Sequence, residues 1–171
     1  MNAEIVMVRQ DDVTRGTPLG EKLLTLNNAH AGSLSWLEPE RLCHLVNAAF
    51  FAGRVGEVDG LLIAFDQDAD YDSPNFLWFQ ARFPGFVYVD RVAVAAEAQG
   101  RGIARRLYFK LFSLAVHAGH DKIVCEININ PPNPESDAFH AALGFTEVGY
   151  GLIHGGQKTV RYMARQLDSA A

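Results

Sequence analysis

The sequence is poor in cysteine and in long apolar runs. Its 171 residues include only two cysteines, Cys43 and Cys125, which lie far apart inside apolar segments. Such isolated thiols indicate small buried side chains in a reducing compartment rather than a disulfide or a nucleophile. No apolar run reaches the roughly 20 residues that a membrane helix needs. Disulfide-stapled and membrane-spanning classes are therefore not expected.

Positive charge is also in short supply. The formal net charge is −5 and the sequence pI is about 5.6, which argues against a protein that coats nucleic acid. The first residues, MNAEIVMVRQDD, lack the basic start and apolar core of a signal peptide. We expect one cytoplasmic domain, residues 1–171, without a nucleic-acid or membrane partner.

Short segments of strand character alternate with segments of helical spacing. Strand patterns occupy residues 4–10, 53–66 (two strands around a Gly/Asp turn), 86–94, 122–128 and 158–167. Helical patterns occupy residues 19–30, 38–52, 102–120 and 134–145, and the stretch 68–85 is aromatic and rich in turn residues. The chain is thus predicted to be α/β (α+β), with one sheet and helices packed on it.

Residues 99–107, QGRGIARRL, place two glycines and three arginines where a predicted strand meets a predicted helix. Free N–H groups point outward at a helix N-terminus, and the helix dipole favours an anion there. Gly100 and Gly102 would let a ligand approach the backbone closely. Arg101, Arg105 and Arg106 could add charge-assisted contacts. A phosphate or pyrophosphate site is predicted.

A simpler interpretation of this junction is equally open. The glycines could only shape a turn, and the arginines could be solvated helix surface. Two familiar phosphate loops fit less well, because no Lys-Ser/Thr pair follows the glycines and Arg105 stands where a dinucleotide fingerprint has its third glycine.

The segment Gln99–Ala104 matches the Q/R-x-x-G-x-G/A signature of the GCN5-related N-acetyltransferases (GNAT). The preceding YVDRVAV at 88–94 and the following CEININPPNPESDAFHAALGF at 125–145 resemble that family's next motifs. The resemblance covers residues 86–151 and extends to a bacterial subgroup of predicted acetyltransferases. Residues 1–85 would then form the variable half of the domain, on the side of the acceptor. It implies a central mixed, mostly antiparallel sheet of six or seven strands, flanked by about four helices. The strands of this sheet are expected to splay apart at the acetyl-CoA site.

The resemblance further implies acetyl-CoA as the acyl donor, without a metal. The coenzyme-binding positions that it implies are Val92, Ala93, Val94, Gln99, Gly100, Arg101, Gly102, Ile103, Ala104, Arg105, Asn133, Phe139 and His140. Asn133 could equally be a turn or cap residue among neighbouring prolines.

Three residues compete for the role of general base. Glu126 lies in an apolar strand where several relatives place a glutamate that takes the amine proton, and burial can raise a carboxyl pKa into a useful range. Asp90 and Tyr88 share one face of the preceding strand. Asp90 could instead pair with Arg91 or bind the ammonium group of an acceptor, and Glu126 could be a structural carboxylate.

His140 departs from the pattern of the family. It stands in FHAALGF where relatives carry FYxxxGF, whose tyrosine is proposed to protonate the thiolate of coenzyme A. Histidine can also donate a proton near neutral pH. His140 is therefore a candidate proton donor, a neighbour that only contacts or packs beside the sulfur, or a buried histidine without a function.

The acceptor side is less well marked. The aromatic stretch could line an acceptor pocket, belong to the core or form a dimer surface. The candidate acceptor-binding residues are Asn27, Asn28, Tyr71, Trp78 and Phe79. The pair His117 and His120 has no acidic or cysteine partner nearby, so a metal site is not expected.

The leading hypothesis is an N-acetyltransferase that acts on a primary amine of a small molecule or a peptide by direct attack. The alternatives are a coenzyme A-binding sensor without turnover and a nucleotide-binding regulatory domain. The family resemblance is also compatible with a homodimer.

Overall fold

A computed structural model describes residues 3–168. Its seven strands are β1 (Ile5–Met7), β2 (Phe51–Val55), β3 (Gly60–Asp66), β4 (Val87–Val94), β5 (Lys122–Asn130), β6 (Thr146–Ile153) and β7 (Lys158–Gln166). Its five α-helices are α1 (Pro18–Ala29), α2 (Pro39–Ala48), α3 (Pro74–Gln80), α4 (Ile103–His117) and α5 (Pro134–Ala142). Within residues 3–168, no helix is long and apolar enough to cross a bilayer.

All seven strands form one sheet in the order β1-β2-β3-β4-β5-β7-β6. Neighbours run antiparallel except β4 and β5, which are parallel. These two strands pair only at Val87–Ile123 and Tyr88–Val124. Beyond those two rungs they diverge, so the sheet opens at its centre.

Each face of the sheet carries its own hydrophobic core. Helices α1 to α3 cover one face, where Leu23 and Phe76 pack with Tyr88 of β4. Helices α4 and α5 cover the other face, where Leu107 packs with Val87. Because side chains alternate along a strand, consecutive residues of β4 serve opposite cores. The opening between β4 and β5 therefore connects the two faces.

The predicted fold class is confirmed, with differences in local detail. The helix predicted over 38–52 ends at Ala48, and residues 51–55 form β2 instead. The aromatic stretch 68–85 contains α3, whose first residue is Pro74. Strand β6 was not predicted, because most of its residues are exposed and two are glycines.

Candidate active site

The divergence of β4 and β5 creates a cleft of ≈ 150 Å³. Side chains from both strands, from the α1–α2 loop and from α3, α4, α5 and β7 line it. The lining residues are Ser33, Leu34, Asn75, Val89, Asp90, Arg91, Val92, Tyr108, Cys125, Glu126, Ile127, Asn128, Asn133, Ser136, His140 and Lys158.

Glu126 projects from β5 into this cleft. Its Oε2 atom is buried and has no hydrogen-bond partner among the described residues. Burial raises the pKa of Glu126 to about 7. The nearby Tyr88 and Asn75 side chains oppose this rise, and the charge of Asp90 adds to it. The carboxyl group can therefore gain and lose a proton near neutral pH.

Asp90 faces the same cleft from β4, but its oxygens are occupied. It accepts a hydrogen bond from the Tyr71 hydroxyl and one from Arg91 Nε at 2.6 Å. The side chains of Asp90 and Arg91 are each only 5% exposed. Arg91 continues the network through Nη1 to Asn27 Oδ1 at 2.8 Å and through Nη2 to Ser35 Oγ at 3.2 Å. This buried network ties β4 to the α1–α2 loop.

Asn27 and Asn28, two candidates for acceptor binding, hold the α1–α2 loop in place. Asn27 is fully buried, and its Nδ2 donates to Asn28 Oδ1 and to the Ser35 carbonyl. Asn28 accepts from the Leu37 N–H and donates to the Leu37 carbonyl. The loop that they anchor brings Ser33 and Leu34 to the cleft.

The aromatic candidates lie mainly in the core. Phe79 is fully buried, and Trp78 stacks on Tyr162 with ring centroids 4.0 Å apart. Tyr71 stacks on Phe65 and donates to Asp90. Tyr88 is buried behind the cleft, where burial raises the pKa of its hydroxyl. These rings support the cleft wall from behind.

His140 and Asn133 approach the cleft from α5. Asn133 caps this helix, because its Oδ1 accepts a hydrogen bond from the Ser136 N–H. His140 is buried and lies 2.7 Å from the hydroxyl of Tyr108 on α4. Phe139 packs against Tyr108 with a centroid distance of 5.4 Å.

Several polar residues of the cleft were not singled out from the sequence: Ser33, Asn75, Tyr108, Asn128, Ser136 and Lys158. Asn75 lies in a stretch that carried no predicted helix, and Tyr108 belongs to the apolar stripe of an amphipathic helix. Lys158 and Ser33 reach the cleft only through tertiary contacts. No local pattern distinguishes any of them from ordinary core or surface residues.

The glycine-rich loop lies at the N-terminus of α4. Gly100 and Gly102 have φ of +74° and +71°, a region in which side chains other than glycine are strained. Gly102 is the N-cap, and no side chain caps the helix there. A Cβ at either glycine would have nothing within 4 Å. The N-terminus of α4 thus lacks a side-chain cap and has open space beside its two glycines, as an anion site would require.

The three arginines near this loop have different surroundings. Arg101 is 55% exposed at its side chain and lies 3.9 Å from Asp59. Arg105 is exposed and lies over the ring of Phe109. Arg106 instead donates to the Ala3 carbonyl. Arg101 and Arg105 are therefore available to a ligand, whereas Arg106 ties down the N-terminal segment.

The end of β4 leads from the cleft to this loop. Val92 lines the cleft, whereas the neighbouring Ala93 is buried. The Val94 carbonyl lies 2.9 Å from Nε2 of His30, which extends from the end of α1. This contact fixes the strand end beside the glycine-rich loop.

Metal ligation is not supported by the arrangement of the side chains. Among residues 3–168, no group of three or more His, Cys, Asp and Glu side chains is placed to hold a metal ion.

The family model of the acetyltransferase (GNAT) family matches residues 26–145, well over half of the chain. The chain belongs to this family, and membership supports acetyl transfer in general. No curated protein sequence matches the chain.

Solved structures of several acetyltransferases share the fold. One is yncA from Salmonella typhimurium, solved with its cofactor acetyl-CoA, at 21% identity and TM-score 0.70, covering 100% of this chain and 97% of that one. Another is ribosomal-protein-alanine N-acetyltransferase from Brucella melitensis, at 21% identity and TM-score 0.67, covering 96% and 99%. A third is Naa20 from Chaetomium thermophilum with a bisubstrate analogue, at 16% identity and TM-score 0.72, covering 96% and 86%.

Proposed function

We propose that this protein is an acetyl-CoA-dependent N-acetyltransferase that acetylates a primary amine of a small molecule or a peptide by direct attack. The observation that carries the proposal is Glu126, whose Oε2 is buried without a partner in the cleft between β4 and β5. A carboxylate held in that state can accept a proton from a bound ammonium group.

The residues present fit acetyl-CoA, which supplies an activated acetyl group as a thioester. The free N–H groups at the start of α4 and the space beside Gly100 and Gly102 suit a pyrophosphate. Arg101 and Arg105 are exposed beside that loop and can add charge-assisted contacts. The diverging edges of β4 and β5 leave main-chain groups unpaired along the cleft.

Glu126 supplies the proton acceptor. An amine is protonated near neutral pH and must lose a proton before its nitrogen can attack a carbonyl carbon. A carboxyl with a pKa of about 7 is ionised in part at pH 7 and binds that proton more readily than an ordinary glutamate would. Activity is therefore expected to rise with pH through about 7.

Direct attack is favoured over an acyl-enzyme at Cys125. This thiol is buried in the cleft, and burial together with the charge of Glu126 raises its pKa well above the ordinary value. Because the thiolate is the nucleophilic form, Cys125 remains a protonated wall residue.

The test is turnover of acetyl-CoA with a panel of polyamines, amino acids, aminoglycosides, arylamines and short peptides, read out as thiol release. With an accepted amine, Glu126→Gln is expected to lower kcat by roughly 10²- to 10⁴-fold, the range for general base catalysis. Coenzyme A affinity, measured by calorimetry, should stay unchanged.

The matched control is Glu40→Gln, which alters an exposed glutamate far from the cleft and should keep full turnover. Full activity of Glu126→Gln would remove Glu126 from the mechanism. Tight coenzyme A binding without thiol release for any amine would instead support the sensor alternative.

A further inference from the structure

Tyr108 of α4 and His140 of α5 form a hydrogen-bonded pair inside the cleft. The hydroxyl oxygen of Tyr108 lies 2.7 Å from Nε2 of His140, and the two residues are 1% and 5% exposed. Both line the cleft that holds Glu126. The pair therefore places a phenol hydroxyl on the side of the cleft from which α5 approaches.

The partners of His140 define where its ring proton lies. Nδ1 is 2.7 Å from the Ser136 carbonyl oxygen, which can only accept a hydrogen bond. The proton consequently lies on Nδ1, and Nε2 presents a lone pair that accepts from the Tyr108 hydroxyl. Both ring nitrogens are engaged, Nδ1 also lying 3.2 Å from Ser136 Oγ. Of the polar atoms of the pair, the Tyr108 oxygen therefore keeps a lone pair for a further hydrogen bond.

The charge state of the pair agrees with this assignment. Burial lowers the pKa of His140, although the Ser136 carbonyl and the charge of Asp137 act in the opposite direction. The ring is therefore neutral at neutral pH. Asp137 is itself paired with Arg161 of β7. Burial also raises the pKa of Tyr108, next to Cys125 and Glu126 of β5. The phenol therefore remains protonated, with its ring held by Phe112, Phe139 and Phe145.

We propose that the Tyr108 hydroxyl is the group that contacts the sulfur of coenzyme A, and that His140 is the positioning residue that holds this hydroxyl in place. The proposal rests on the proposed function, because acetyl-CoA brings the sulfur into the cleft. The hydroxyl oxygen accepts a hydrogen bond from the thiol of the product. When the sulfur is a thiolate, the O–H turns from Nε2 to the anion, the stronger acceptor.

The first test needs no turnover. Calorimetry compares the affinities of coenzyme A and desulfo-coenzyme A, which lacks the sulfur, for wild type and for Tyr108→Phe. Wild type should prefer coenzyme A by roughly two- to tenfold, the worth of one hydrogen bond, and Tyr108→Phe should lose that preference. The control Tyr150→Phe removes an exposed tyrosine hydroxyl and should keep the wild-type preference for coenzyme A.

A Tyr108→Phe protein that retains the full preference for coenzyme A would overturn the proposal. Because this readout depends only on binding, it remains decisive even if no amine is acetylated and the proposed function fails. Conversely, turnover with no sulfur preference in wild type would reject the Tyr108 contact while leaving acetyl transfer intact.

The second test addresses the role of His140. His140→Phe should lower kcat about as much as Tyr108→Phe does, and the double variant should be no slower than Tyr108→Phe alone, because the two residues act as one unit. His140→Asn can still accept from the hydroxyl and should recover part of the loss in kcat and of the sulfur preference. His117→Asn, on an exposed histidine, is the control. Additive losses, or a His140→Phe protein with unchanged kcat and preference, would contradict a positioning role.

Discussion

The two walls of the cleft carry one carboxylate each, and their surroundings differ. On the β4 wall, Asp90 is bonded to Tyr71 and Arg91, and Arg91 is bonded in turn to Asn27. On the β5 wall, Glu126 keeps one oxygen buried without a partner. Buried charges are normally paired, so the paired wall is the expected state and the unpaired one is exceptional.

This difference separates two uses of the same chemical group. A carboxylate whose oxygens are occupied holds elements together, as Asp90 does by bonding to Tyr71 and to Arg91, which in turn reaches Ser35 of the α1–α2 loop. A carboxylate with a free buried oxygen exchanges protons near neutral pH, as Glu126 can with a pKa of about 7. Four measurements can test the contrast.

The largest effect is expected from Arg91→Leu, which breaks the β4 network. It leaves Asp90 buried with Tyr71 as its remaining partner, and loss of one member of a buried pair costs about 3–5 kcal/mol of unfolding free energy. Urea denaturation measures this loss. Arg15→Leu, at an exposed ion pair with Glu40, should change stability by less than about 1 kcal/mol. Equal losses in the two variants would show that the network is not specially important.

The second prediction concerns pH and the β5 wall. The pKa of Glu126 rises from an ordinary 4.5 to about 7 on folding, so the folded state binds this proton more tightly than the unfolded state does. Wild type therefore loses stability as pH rises from about 4.5 to 7. Glu126→Gln removes this loss and should become more stable than wild type by up to about 3 kcal/mol at pH 8.

The check is urea denaturation of both proteins at pH 4, 6 and 8. The difference between Glu126→Gln and wild type should grow along that series. A difference that is independent of pH would mean that Glu126 titrates normally in the folded protein.

The third prediction extends the contrast to the loop that follows the β4 wall. Gly102 and Gly119 lie at opposite ends of α4, both have positive φ, and a Cβ on either would meet no atom within 4 Å. Alanine at each should cost about 1–2 kcal/mol of stability, because the left-handed region is strained. Only Gly102→Ala should weaken coenzyme A binding in calorimetry, by about tenfold or more, since its methyl group enters the anion site. Equal affinities for the two variants would place the pyrophosphate elsewhere.

The smallest effect is expected from Arg101→Ala. This side chain is exposed and has only a 3.9 Å contact with Asp59, so its attraction for an anion is screened by salt. Coenzyme A affinity should fall a few-fold at low ionic strength and hardly at all at high salt. Arg9→Ala, at another exposed arginine, should leave the affinity for coenzyme A unchanged at both low and high salt. A loss that persists at high salt would indicate a desolvated contact.

Much of the second half of the fold could be predicted from sequence, because its signals are local. The strand over 86–94, the glycines at 100 and 102 and the helix after them follow from short-range patterns, and the observed bounds agree closely. The error over 38–52 arose because AAFFA continues an apolar run without a break. Helix α3 was missed because its seven residues, Pro74–Gln80, are rich in aromatic side chains and show no clear helical period.

The candidate site was predictable only where one residue carries its own signal. Asp90, Glu126, Asn133 and His140 all line the cleft, although their separate roles remain predictions. The neighbours that shape those roles were not predictable, because Asn75 lies 51 positions from Glu126 and Tyr108 lies 32 positions from His140 in sequence. The pairing of carboxylates with hydroxyl and amide groups depends on tertiary packing, which spacing does not reveal.

The divergence of β4 and β5 gives the sheet two edges in its interior. An unpaired strand edge at the rim of a sheet invites another chain to pair with it, and proteins usually shield such edges. Here the two edges face each other across a narrow gap that the α1–α2 loop and α5 border, so a foreign strand has no access. The two strands can thereby stay unpaired with each other over most of their length without exposing an open rim of equal length, which would promote aggregation.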